Sequence, residues 1–281
     1  MKYGVATSGT TPLEVLEKIA VRAEDLGYDY LLVTDHYMSP KSSSTLDAWT
    51  FLSYVAALTK KIRLGTCVTP IPFRRPAILA KMISTLDNLS GGRAILGAGA
   101  GWHRPEFEAY STWLGDHDRV TFTSEALDLM IRLWTQSTAV DFTGRLVSAS
   151  GALLEPKPIQ KPHPPIWFGT LSKRMLRMCG RLGDGWLPVG PRWIGDMYPR
   201  PDEYSKMRQI ILPELQRRGY PLEKFFFSTI INYADSRTLL SEIEAYRREG
   251  MNHFTLGLSR EADEHVLEKL ERVSKEVCSS I

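Results

Sequence analysis

The sequence predicts one closed barrel of parallel strands, each followed by a helix: the (β/α)8 TIM-barrel architecture, spanning residues 1–281 as a single domain. Three observations predict it. Short β-rich runs alternate with amphipathic stretches of helical length from one end of the chain to the other. Eight such pairs follow one another with no break in composition between them. The length of 281 residues sits near the roughly 250 typical of such barrels, with the surplus falling in two long loops. A doubly wound open sheet would carry a Gly-x-Gly-x-x-Gly turn after its first strand. Here the glycines follow the fourth strand and are spaced Gly97-x-Gly99-x-Gly101, which favours the barrel.

The elements are expected in this order. Strand one covers 2–8 and its helix 11–26, with Pro12 near the start, Leu13, Leu16, Ile19, Ala20 and Ala23 on one face and Gly27 as the stop. Strand two covers 28–36, an apolar run that ends in polar residues, and a helix follows from about 47 to 59. Strand three is 62–69, and its helix opens near Pro76 and ends at Gly91 and Gly92. Strand four is 93–98 with a helix over 119–135, strand five 166–169 with a helix over 172–182, and strand six 185–189 with a helix over 202–218. Strands seven and eight, 225–233 and 253–258, precede charged helices at 239–249 and 261–278. The long loops lie before strand five, 136–165, where 140–147 suggests a hairpin, and after strand six, 190–201.

Composition narrows the function. The chain is 43% hydrophobic and 24% charged, and its net charge of +3 comes from 35 basic and 32 acidic residues spread without a dense basic block. Neither nucleic acid nor a membrane surface is expected as a partner. Three well-separated cysteines with no C-x-x-C spacing suggest neither a disulfide framework nor a zinc site, and with no leader-like or membrane-spanning run the reading is a cytoplasmic protein.

In a barrel the carboxyl ends of the strands carry the chemistry. Strand two delivers Asp35 and His36, strand three Cys67 and Val68, and strand four the glycine loop with Trp102 and His103. Strand five delivers Gly169 and Thr170. The six histidines form no H-x-H pair, so no metal centre is expected, and one well-placed carboxylate is too few for glycoside hydrolysis. Cys67 reads either as a nucleophile or as a small buried hydrophobe. What remains is a site of backbone donors, hydroxyls and one imidazole, suited to a phosphate-bearing organic cofactor that brings its own chemistry. The run from 169 to 174 offers helix N–H groups, a hydroxyl, Lys173 and Arg174 as a phosphate seat, or simply an N-capped helix.

Several motifs then combine: Val-Thr-Asp-His-Tyr at 33–37, Ile-Arg-Leu-Gly-Thr-Cys-Val-Thr at 62–69, Leu-Gly-Ala-Gly-Ala-Gly-Trp at 96–102, Pro-Ile-Trp-Phe-Gly at 165–169 and Asp-Gly-Trp at 184–186. Together they resemble the luciferase-like monooxygenase family, which includes flavin monooxygenases and oxidoreductases that use the deazaflavin F420. The resemblance implies a cofactor in the C-terminal cleft and a non-prolyl cis peptide at Cys67-Val68 beneath its ring. It implies that Ala100 and Gly101 lie along the cofactor tail, that Gly169 and Thr170 lie near its phosphate, and that His36 and Asp35 line the substrate side. Trp102 stands where sugar-phosphate dehydrogenases of the family carry a glutamate. Trp102, His103 and Trp193 are expected in the substrate pocket.

The expected activity is F420-dependent hydride transfer to or from a small organic substrate, with His36 handling the proton. An FMN-dependent monooxygenase supplied by a partner reductase is the alternative, and a non-catalytic flavin-binding barrel a second one. A flavin or F420 reductase and a second copy of the chain, in a homodimer, are the expected partners.

Overall fold

The computed structural model describes residues 1–38, 42, 44–189, 198–258 and 265–280. In chain order the elements are β1 (Lys2–Thr7), α1 (Leu13–Asp25), β2 (Tyr30–Val33), α2 (Ala48–Leu58), β3 (Arg63–Thr66), β4 (Thr69–Pro70) and α3 (Pro76–Leu89). Then come β5 (Ala94–Gly99), α4 (Arg104–Tyr110), α5 (Gly115–Thr135), β6 (Val140–Thr143), β7 (Ser148–Ala152), β8 (Ile166–Gly169) and α6 (Lys173–Leu182). The chain continues through β9 (Gly185–Leu187), α7 (Pro201–Arg218), β10 (Phe226–Phe227), β11 (Ile230–Asn232), α8 (Ser236–Arg248), β12 (His253–Gly257) and α9 (His265–Glu276).

One large sheet runs in the order β10-β9-β8-β5-β3-β2-β1-β12-β11, and each of its pairings is parallel. Its first and last members are neighbours in the chain, separated only by Ser228 and Thr229. That segment is bonded on both sides: Ser228 N–H donates to Trp186 O, and Thr229 O accepts from Thr255 N–H, each at 3.0 Å. The sheet therefore curls round on itself. Strand residues alternate between two cores, as a period of two requires. Tyr30, Leu32, Ile95 and Trp167 pack inside the curl, whereas Leu31, Val33, Leu96 and Phe168 pack outward against the helices. On α1 the expected face is buried, with Leu13 as the exception at the helix start.

Three expectations need correction. Strand three is not continuous: it breaks after Thr66, the Cys67-Val68 peptide is cis, and Thr69–Pro70 resumes pairing with β5. Strand seven likewise splits around Ser228 and Thr229. The helix placed at 119–135 begins at Gly115, where Asp116 and Asp118 favour its positive end, and the short α4 precedes it. The hairpin before strand five forms as β6 and β7. The loop expected at 190–201 has its residues 190–197, including Trp193, outside the described residues.

The break in strand three explains the glycines. A Cβ at Gly99 would stand 2.6 Å from Val68 Cγ2, and one at Gly169 would stand 2.5 Å from Val68 Cγ1. The glycine run makes room for the Val68 side chain, so its first service is to the protein's own bulge. Gly101 is different, with φ +76°, a left-handed turn that releases the chain toward α4.

Candidate active site

The carboxyl ends of β2, β5 and β8 and the starts of α5 and α6 enclose a cleft of about 570 Å³. The site residues expected at Cys67, Val68, Ala100, Gly101, Trp102, Gly169 and Thr170 line it, together with His36. His36 and Trp102 meet edge to face, with ring centroids 6.0 Å apart. Asp35 does not line the cleft, contrary to expectation. Neighbouring residues on extended chain point to opposite sides, so the carboxylate turns away from His36's side. It is 1% exposed, and both oxygens are taken: Arg74 donates to Oδ2 at 2.7 Å and to Oδ1 at 3.0 Å, and Thr69 Oγ1 donates to Oδ2 at 2.8 Å. Burial works against the Arg74 charge, yet Asp35 holds its pKa above the ordinary arginine value. The same guanidinium reaches Asp47, which caps α2 through Thr50 N–H, so this cluster pins the loop after β2 to two other elements.

His36 is held by a residue that strand-end reasoning missed. Glu106, on α4, has a fully buried carboxylate whose Oε2 lies 2.8 Å from His36 Nδ1. Its Oε1 accepts from the Tyr37 and Met38 N–H groups at 2.6 and 3.1 Å. A carboxylate offers only acceptors, so it fixes the proton of the neutral ring on Nδ1 and leaves Nε2 as the nitrogen free to take or give one. His103 approaches the same oxygen, its Nδ1 3.6 Å from Glu106 Oε2 and without a hydrogen bond, and it is not among the residues lining the cleft, contrary to expectation. A carboxylate four residues beyond Trp102 thus reaches the imidazole.

The opposite wall carries an unsatisfied cation. Arg119, 8% exposed at its side chain, lies 3.6 Å over the Trp113 ring and donates one Nη2 bond, 2.7 Å, to Asp116. Its Nε and Nη1 are buried without partners. Burial pulls its pKa below the ordinary value, with Asp116 pulling the other way. Beside it, α6 begins with no side-chain cap at Ser172, whose own N–H donates to Thr170 Oγ1 at 3.1 Å. Two buried donors and an uncapped helix start make an anion seat. Arg174, expected there, turns away to His117 O and Thr121 on α5.

Cys67 is resolved between its two readings. Burial pushes its thiol up to about 12, so it packs as a small hydrophobe at neutral pH. Among the described residues no three His, Cys, Asp or Glu side chains come together to hold a metal ion, and no helix is long and apolar enough to cross a membrane.

Comparison with known proteins decides the family. Residues 1–220 match the model of the luciferase-like monooxygenases. The chain belongs to that family. A 5,10-methylenetetrahydromethanopterin reductase of Archaeoglobus fulgidus is 34% identical over 207 residues, 73% of this chain and 56% of that protein. An uncharacterized protein of Mycobacterium tuberculosis is 36% identical over 194 residues, 69% of this chain and 64% of that one. The chain therefore matches less than two thirds of either relative's length. Among solved structures, an F420-dependent secondary alcohol dehydrogenase in complex with an F420-acetone adduct superposes with TM-score 0.86 at 21% identity, covering 100% of this chain and 99% of that one. The FMN-bound oxygenating constituent of a Baeyer-Villiger monooxygenase from Pseudomonas putida gives 0.82 at 16% identity, with the same coverage. At these identities the likeness is one of fold. This luciferase-like chain is thus an α/β protein with a mostly parallel curled sheet.

Two signals for the missed residues existed in the sequence. Pro105 and Glu106 follow His103 as a helix start with an acid in its first turn, and Arg119 falls a turn after Gly115-Asp116. Neither signal distinguishes a buried partner from a solvated surface charge.

Proposed function

We propose that this protein is an F420-dependent oxidoreductase, moving hydride between the deazaflavin and a small organic substrate. The observation that carries the reading is the His36 imidazole, fixed by buried Glu106 at the wall of a cleft whose other wall presents the unpaired Arg119 donors. The sequence relation to a methylenetetrahydromethanopterin reductase supports it, as does the shared fold with a coenzyme F420 dependent tetrahydromethanopterin reductase from Methanopyrus kandleri, TM-score 0.83.

The chain's residues suit such a cofactor. Arg119 and the first N–H groups of α6, beside Thr170, would hold a phosphate; Ala100 and Gly101 would follow the tail; Cys67 and Val68 would support the ring. Bound deazaflavin supplies a site that accepts or donates hydride. His36 moves the accompanying proton at Nε2, while Glu106 keeps Nδ1–H directed inward and stabilises the charge the ring gains on protonation. Val68, Val120 and Met175 give the cleft apolar walls that exclude water from the exchange. Asp35 and Arg74 act as positioning residues for the loop that carries His36.

The test is a pair of titrations. Purified protein is mixed with F420 and with FMN, binding is followed by fluorescence quenching, and the bound reduced cofactor is offered an enone under nitrogen and then oxygen alone. Tighter F420 binding with anaerobic turnover is the expected result. Preference for FMN with oxygen-dependent turnover would establish a monooxygenase instead, and tight binding of either without turnover a binding barrel.

A further inference from the structure

The amino ends of the strands frame a second cavity, about 340 Å³, at the opposite end of the curled sheet from the cleft. Cations dominate its wall: Lys2, Arg63, Lys161 and Lys224 stand against Asp29 and Asp184. Both carboxylates are already engaged. Asp29 accepts the Tyr3 N–H at 2.9 Å, and Asp184 accepts the Ile166 N–H at 2.9 Å and lies 3.6 Å from Arg218. Arg63 has no ion-pair partner among the described residues; its Nη2 donates to the neutral amide of Gln160 at 2.8 Å. Lys2 and Lys224 have neither ion pairs nor hydrogen bonds through their ammonium groups among the described residues. A concave, low-dielectric wall concentrates the field of such charges. The field is felt nearby: burial, and after it the Lys2 charge, pushes His253 down to about 4.

The floor decides what kind of ligand fits. Trp167 and Phe226 stack on each other at 3.7 Å and are each 5% exposed, so no ring face is open for an aromatic guest. A compact, strongly charged molecule suits the rim better. With Arg63 and two free lysines in reach and a surplus of two positive charges, a monoanion would leave the site unbalanced. A tetrahedral oxyanion offers several acceptors to a guanidinium fork and two ammonium groups at once.

We infer that this mouth of the barrel is a binding site for a small phosphate-bearing anion of at least two negative charges, held by Arg63, Lys2 and Lys224. It lies at the other end of the strands from the proposed redox site, and neither reading depends on the other.

Pyrophosphate is the probe, titrated into the Arg119→Gln protein so that the cleft's own anion seat is weakened. The His253 ring and Trp167 indole resonances are followed by NMR. A saturable shift of both is expected. The double variant Lys2→Gln/Lys224→Gln, at exposed positions, is expected to weaken binding at least tenfold, and Arg63→Gln to do the same. No saturable shift, an unchanged affinity in these variants, or the same response to sodium chloride at matched ionic strength would overturn the proposal.

Discussion

The two ends of the strands handle charge in opposite ways. At the carboxyl ends, buried groups hold fixed partners, Asp35 with Arg74, which also reaches Asp47, and Glu106 with the His36 ring, and Arg119 keeps two buried donors without partners. At the amino ends, four cations, Lys2, Arg63, Lys161 and Lys224, share a rim with two carboxylates, Asp29 and Asp184. Backbone irregularity accounts for the contrast. The break between β3 and β4 and the turn at Gly101 let side chains from separate elements converge, so a proton can be held at one nitrogen. No comparable pairing is seen for Lys2, Arg63 and Lys224 at the strand starts among the described residues, and they share one cavity.

His36→Ala bears most strongly on this contrast. Turnover is expected to fall roughly 10²–10⁴-fold with cofactor affinity retained, as for loss of a general acid or base. Steady-state kinetics beside a binding titration checks it, and undiminished turnover would remove His36 from the chemistry. Asp35→Ala should act on stability instead. It leaves the buried Arg74 guanidinium with Asp47 as its remaining ion-pair partner among the described residues, at a cost of about 1.5–3 kcal/mol in urea unfolding. A cost below about 1 kcal/mol would mean that the pair does not pin the loop. Glu106→Gln should fall between the two in turnover, losing roughly tenfold or more. The amide sets an N–H against Nδ1 and so turns the ring to its other tautomer, which kcat with unchanged cofactor affinity would report.

These residues also mark how far the sequence could be read. The alternation of strands and helices was legible because each run has the period of its element, and the fifth strand falls at Ile166–Gly169, as its apolar run implies. Positions at strand ends were legible as well, since a barrel aims them at one cleft: His36, Cys67 and Thr170 all reach it. The break in strand three is invisible to periodicity, and only the family resemblance anticipates the cis bond. Glu106 was not legible because α4 is too short to show a face, and an acid in a first turn looks like ordinary helix chemistry. Asp35, which the resemblance places on the substrate side with His36, is its neighbour in the chain and turns the other way. Which way a side chain turns at the end of a strand is set by a partner, here Arg74, that arrives from 39 residues away.

Arg119→Gln tests the cation at the cleft whose Nε and Nη1 have no partner. Losing a charge-assisted donor to a phosphate costs about 1.5–3 kcal/mol, so cofactor affinity should weaken roughly 10- to 100-fold while kcat at saturating cofactor holds. Equal affinity would place the anion elsewhere.

The smallest effect belongs to the other end. His253 is half-buried, its pKa pushed from 6.5 to about 4 chiefly by burial and then by Lys2. The unfolded chain takes up a proton near 6.5 that the folded chain refuses until about 4. Stability from this group is therefore whole above pH 7 and drains away as pH falls between those two values, by about 2 kcal/mol once its partial exposure is allowed for. His253→Gln removes the titration, so the gap between wild type and variant in urea unfolding should shrink steadily from pH 7 to pH 4 with turnover at pH 7 unaltered. A gap that stays constant with pH would mean that neither burial nor the Lys2 charge holds the imidazole neutral, and that the two ends differ less in their electrostatics than their residues imply.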